Sequence, residues 1–152
     1  MEENINSLSA FTDFFADTLQ LKKVDITSYS PLALAYIGDA VYELIIRTKV
    51  LNYGSTQVNN MHKKSARLVN AKAQADLIRS LIEGEDLTPE EMAVYKRGRN
   101  AKSATTAKHA TVADYRTATG FEALCGYLYL KGSLERLILV VSRGLNRIGE
   151  LE

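Results

Sequence analysis

One stretch of this chain predicts a long helix with an acid in its apolar middle. Residues 30–49 read SPLALAYIGDAVYELIIRTK. Ser30 followed by Pro31 is typical of a helix start, because the serine hydroxyl can accept hydrogen bonds from free backbone amides and proline suits the first helical position. Apolar residues fall on all sides of the helix that follows. We therefore expect other helices to surround it near the middle of the fold.

Asp39 lies at the centre of this helix, directly after Gly38 and one turn before Glu43. A carboxylate among apolar residues is destabilising unless it is paired, bonded or protonated. We therefore expect a cation, a hydrogen-bond network or a metal ion next to Asp39.

Helical spacing of apolar residues recurs along the rest of the chain, except over residues 96–110, where it vanishes. No window alternates like a strand, and no internal repeat is found. The sequence predicts an all-α fold with one domain over residues 1–152, in which 1–29 form an N-terminal helical extension. The other predicted segments are helices at 5–21, 58–81 (with a break at Asn70 as an alternative), 89–97, 111–130 and 133–148, and a mobile basic loop at 96–110.

Composition is that of an ordinary globular protein. The chain has 152 residues, 46% of them hydrophobic, and one cysteine, Cys125. A single cysteine excludes an internal disulfide framework and is typical of a reducing compartment. The acidic N-terminus does not resemble a secretory signal, and no apolar run is long enough to span a bilayer. We expect a cytoplasmic protein with no membrane partner.

The formal net charge of +1 hides an asymmetry along the chain. Lys and Arg number 2 against 7 acids in residues 1–43, but 12 against 6 in residues 44–113. No acid occurs between Glu43 and Asp76 or between Glu91 and Asp114. Two acid-free basic windows favour a polyanionic partner, although such runs are also common on solvated surfaces. The residues suited to phosphate oxygens are Lys63, Lys64 and Arg67 on a helix, and Arg97, Arg99, Asn100, Lys102 and Lys108 in the predicted loop.

Glu122 is a second acid in an otherwise apolar, aromatic helix, FEALCGYLYL at 121–130. Two adjacent helices could bring Asp39 and Glu122 to one hard cation, which prefers oxygen ligands. The alternative is that each acid caps a helix or pairs with an arginine. Together with the basic windows, the two acids favour metal-assisted chemistry on a phosphate backbone.

Other chemistries lack their characteristic residues. His62 and His109 have no metal-ligand partner at a suitable spacing, and Cys125 has no CxxC companion, which argues against a zinc site. No phosphate-cradling glycine loop is found, so we expect no nucleotide cofactor.

Four motifs in order resemble one known family. YIGDAVYEL at 36–44 resembles the signature helix of the ribonuclease III family, and the helix of Glu122 resembles that family's second acidic helix. HKKSARLVN at 62–70 and KRGRNAKS at 96–103 are similar to Mini-ribonuclease III, the compact branch with no separate double-stranded-RNA-binding domain. The resemblance extends from about Pro31 to Leu137.

This resemblance implies a helical endonuclease domain that forms a two-fold homodimer and uses Mg²⁺ to cut both strands of double-stranded RNA. Asp39 and Glu122 would be its catalytic, metal-binding acids, and the products would carry 5′-phosphate and 3′-hydroxyl ends. The Mini branch further implies maturation of the large-subunit (23S) ribosomal RNA precursor. Two acids of larger relatives are replaced, one turn before each retained acid, by Ala35 and Thr119.

Two other readings stay open at this point. The chain could be a ribonuclease III fold that holds structured RNA in a ribosome-associated complex without cutting it, although such a protein has no need of both acids. A helical dimerisation domain with no RNA role would leave the two basic windows unexplained.

Overall fold

A computed structural model describes residues 2–54, 57–102 and 110–152, with side chains from residue 10 onward. Every regular element in these ranges is helical, which confirms the all-α prediction. A short 3₁₀ turn, Ile26–Ser28, precedes the second helix. The α-helices are α1 (Glu2–Thr18), α2 (Pro31–Asn52), α3 (Val58–Val69), α4 (Ala71–Glu83), α5 (Pro89–Asn100), α6 (Val112–Leu130) and α7 (Leu134–Arg147).

Polar caps determine where several of these helices begin. The Ser30 hydroxyl accepts from the Ala33 amide at 3.1 Å, so α2 starts where the Ser-Pro pair predicts. Asn70 ends α3 and accepts from the Ala73 amide at 2.8 Å, which makes the break at Asn70 real. A side chain at the cap satisfies amides that have no partner within the helix.

The helix at the centre of the fold is α6. From Thr117 to Leu128 its residues are buried, except Glu122, which is partly buried. Helices α2, α4, α5 and α7 all pack against it. Its small residues allow this close approach, because Gly and Ala leave room for neighbouring backbones.

The prediction that α2 is surrounded is wrong. One face of α2, including Gly38 and Tyr42, is buried, whereas Tyr36 is 83% exposed and Leu44 is 68% exposed. Asp39 is also exposed. The apolar residues on all sides of α2 therefore reflect one face that packs in the chain and another that the chain itself does not cover.

The prediction of a loop from residue 96 is also wrong for its first part. Helix α5 continues to Asn100, because Tyr95 and Gly98 are buried against α6. Arg97, Arg99 and Asn100 therefore lie on a helix, and Lys102 follows its end. Lys108 and His109 lie outside the described residues.

An ion pair joins α5 to α7. Glu91 is 4% exposed, closes the α5 capping box with Thr88, and receives two hydrogen bonds of 2.8 Å from Arg136. Although burial acts to raise it, the hydrogen bonds from Arg136 and from the Thr88 backbone hold the pKa of Glu91 below its ordinary value. Among the described residues, none of the helices has both the length and the hydropathy of a transmembrane segment.

Candidate active site at the contact of α2 and α6

Two glycines bring the backbones of α2 and α6 into direct contact. A Cβ at Gly38 would lie 1.7 Å from the Glu122 carbonyl oxygen, and one at Gly126 would lie 2.0 Å from the Leu34 carbonyl oxygen. No other residue fits at either position without separating the helices. Asp39 and Glu122 are each next to this contact, so the glycines determine that the two acids meet.

The Asp39 and Glu122 carboxyl groups are within hydrogen-bonding reach of each other. Burial first, and then the adjacent Asp39, raise the pKa of Glu122 to about 9, while the Gln74 amide acts in the opposite direction. Like charges in contact favour a shared proton or a cation between them. The structure thus brings together the two acids predicted from the sequence; their role as metal ligands stays a prediction.

The donor set around these acids is small. The described residues contain no group of three or more His, Cys, Asp or Glu side chains that could hold a metal. Ala35 is buried beside the site, and the buried Thr119 donates its hydroxyl to the Tyr115 carbonyl at 3.0 Å. Two carboxylates in contact nevertheless fit a hard divalent cation that keeps several waters.

Gln74 is a site residue that the sequence reasoning missed. It lies on α4, is only 2% exposed, and its amide approaches Glu122. Its Nε2 donates to the Val69 carbonyl at 2.8 Å, and its Oε1 has no hydrogen-bond partner in the described ranges. A buried acceptor without a partner costs about 1–3 kcal/mol. The available signal was a polar residue at helical spacing with Ile78 and Leu81 on the inner face of α4.

Helix α3 presents the first group of basic residues. Lys63 and Lys64 are exposed and have no ion-pair partner within the described part of the chain, whereas Arg67 pairs with Glu150 at 2.5 Å. The buried Tyr42 hydroxyl donates to the Leu68 carbonyl at 2.9 Å and so ties the end of α3 to α2.

Helix α5 presents the second group. A Cβ at Gly98 would lie 2.8 Å from Ala123 Cβ, so α5 packs closely against α6 at this point, within one turn of Glu122. Arg97 and Arg99 are the residues on either side of Gly98 in the sequence. Arg97 is exposed, and the Arg99 guanidinium lies 5.6 Å from the centre of the Tyr95 ring. Asn100 and Lys102 are exposed beyond them.

Comparison with known proteins identifies the family. A family model described as "Ribonuclease III domain" matches residues 32–133, a range that includes both acids and both basic helices. The chain belongs to the ribonuclease III family. The expectation of an endoribonuclease is confirmed at the level of that family.

Named relatives agree with this assignment. The chain is 48% identical over 126 residues to a Mini-ribonuclease 3 of Enterococcus faecalis, covering 83% of this chain and 96% of the relative. It is 47% identical over 137 residues to that of a Thermoanaerobacter species, covering 90% and 95%. A crystal structure of a Fusobacterium nucleatum protein superposes with a TM-score of 0.70 at 35% identity, covering 78% of this chain and 93% of that one. The predicted resemblance to Mini-ribonuclease III is confirmed.

Proposed function

We propose that this protein is a Mg²⁺-dependent endoribonuclease that cuts both strands of double-stranded RNA. The observation that carries the proposal is the contact between Asp39 and Glu122, in a chain of the ribonuclease III family whose helices α3 and α5 present exposed basic side chains. Carboxylates that meet beside phosphate-binding side chains are the arrangement that metal-assisted phosphodiester hydrolysis requires.

Asp39 and Glu122 would hold the divalent cation. Their carboxylate oxygens are the hard oxygen donors that Mg²⁺ prefers. When bound, the cation supplies an activated water for attack on phosphorus and offsets charge on the leaving oxygen. Glu122 must release its proton for this, whereas Asp39 is already exposed to solvent.

The basic helices would grip the RNA backbone. A-form RNA is recognised mainly through phosphates, 2′-hydroxyls and shape, which suits exposed basic side chains such as Lys63, Lys64 and Arg97 without a base-reading module. Arg67, Arg99, Asn100, Lys102 and Lys108 complete the proposed RNA-binding set. Arg67 would have to exchange its ion pair with Glu150 for a phosphate.

A homodimer would give each strand its own site. Leu32, Tyr36 and Leu44 form an exposed apolar stripe along α2, next to Asp39, and a second copy related by two-fold symmetry could cover it. Sedimentation at the concentration used for cleavage should report twice the mass of one chain.

The natural substrate that we propose is the large-subunit (23S) ribosomal RNA precursor, on the strength of the similarity to Mini-ribonuclease 3. The single cysteine, which is buried, suits the cytoplasm where this precursor would be processed.

The deciding experiment incubates a long perfect RNA duplex with the wild type and with Asp39→Asn, with and without Mg²⁺. We expect the substitution to abolish cutting and to leave duplex binding in a gel shift unchanged, because it removes one charge at nearly constant volume. Asp17→Asn makes the same change on the exposed helix α1 and should cut normally. A wild type that binds the duplex but never cuts it with any divalent ion would support the non-catalytic RNA-binding alternative instead.

A further inference from the structure

Gln74 occupies an unexpected position for a polar residue. Its neighbours on the inner face of α4, Ala75, Leu77 and Ile78, are fully buried apolar residues of the core. Buried side-chain amides are normally bonded at both polar atoms. Within the described residues, Gln74 is bonded through Nε2 only, so a group outside the folded chain could satisfy its Oε1.

The orientation of the Gln74 amide is determined by its surroundings. The Val69 carbonyl can only accept, so Nε2 must face it, at 2.8 Å. The same amide lies near enough to the Glu122 carboxyl group to act on it as a hydrogen-bond donor. Oε1 of this amide is an acceptor with no hydrogen-bond partner among the described residues.

We propose that Gln74 is a positioning residue of the Asp39 and Glu122 pair, whose amide holds the Glu122 carboxyl group and whose Oε1 accepts a hydrogen bond from the hydrated divalent cation. The inference rests on the proposed function, since it assumes that the pair binds a cation. The bound waters of such an ion are hydrogen-bond donors, which is what a buried carbonyl oxygen without a partner lacks. Gln74 also links the end of the basic helix α3 to the acids, because Val69 is the last residue of α3.

The structural alternative is that Gln74 only anchors the end of α3. Tyr42 provides a matched control for that role, since its buried hydroxyl donates to the adjacent carbonyl, that of Leu68, at 2.9 Å. Tyr42→Phe and Gln74→Met each remove one buried hydrogen bond to the end of α3 with little change in shape. Only Gln74→Met also removes the amide next to Glu122.

The test measures Mn²⁺ binding to the free protein by electron paramagnetic resonance, for the wild type and both variants. We expect Gln74→Met to raise the dissociation constant roughly 10- to 100-fold, the usual effect of removing a group that orients metal ligands. Tyr42→Phe should leave it unchanged. Equal constants for all three proteins, or an equal loss in both variants, would overturn the inference.

A measurement on the wild type keeps the proposal testable if Gln74→Met does not fold. Gln74 is one of three glutamines in the chain, so its side-chain amide signals can be assigned in a ¹⁵N spectrum. Addition of Mg²⁺ should shift these signals, and a shift that is absent while Mg²⁺ supports cleavage would refute the role of Gln74. A wild type that neither binds Mn²⁺ nor cuts RNA would instead refute the proposed function itself.

Discussion

Replacement of Glu122 by glutamine should stabilise the metal-free protein. The pKa of this carboxyl rises from an ordinary 4.5 to about 9 in the folded state, chiefly through burial and then through Asp39. At pH values above 4.5, ionisation of Glu122 lowers the free energy of the unfolded chain, whereas the folded chain keeps the proton on Glu122. The stability of the wild type therefore falls as pH rises from 4.5 towards 9, and glutamine, which mimics the protonated acid, removes this loss.

The expected magnitude follows from the size of the pKa shift. One pKa unit corresponds to about 1.4 kcal/mol, so ionisation of the unfolded state destabilises the wild type by about 4 kcal/mol at about pH 7.5 and by about 1 kcal/mol at about pH 5. The increase in unfolding free energy from wild type to Glu122→Gln should therefore be about 3 kcal/mol larger at the higher pH than at the lower pH. Any effect of the glutamine amide on stability that does not depend on pH cancels in this difference.

Urea denaturation in the presence of a chelator measures these free energies. Both proteins are unfolded at each pH and at one fixed concentration, because self-association changes apparent stability. The same variant should lose Mg²⁺-dependent cleavage, since an amide cannot replace the carboxylate. An equal difference in stability at the two pH values would show that Glu122 is not protonated in the folded state and would refute the reasoning.

Three further changes test other parts of the structure. Gly38→Ala places a methyl group 1.7 Å from the Glu122 carbonyl oxygen, so we expect a loss of about 3 kcal/mol or more in urea unfolding, and a near-normal midpoint would contradict the close helix contact. Arg136→Met leaves Glu91 buried without its cation and should cost about 3–5 kcal/mol by the same assay, whereas a surface-like loss below about 1 kcal/mol would mean that solvent reaches Glu91. Lys63→Ala should weaken binding to RNA duplexes of any sequence. It should also reduce the slope of log binding constant against log salt concentration by about 1, and an unaltered slope would show that Lys63 does not contact RNA phosphates.

Local signals in the sequence predicted the helices well, because they act over a few residues. The Ser30 and Asn70 caps and the Thr88 capping box all form as their residue types indicate. The end of α5 was predicted too early, since the polar, glycine-containing run from residue 96 resembles a loop. Burial of Gly98 against α6 overrides that local preference.

The sequence by itself determined that Asp39 and Glu122 are exceptional, because each is an acid among apolar helical neighbours, and such an acid needs a compensating partner wherever its face is buried. Only the tertiary structure decided that α6 rather than α2 is central, that Asp39 is exposed while Glu122 is partly buried, and that Gln74 lies beside them. The physical reason is that burial depends on which helix faces meet. Helices α2 and α6 meet at Gly38 and Gly126, where their backbones can come into contact. The spacing of apolar residues within one helix does not specify which helices pack against it.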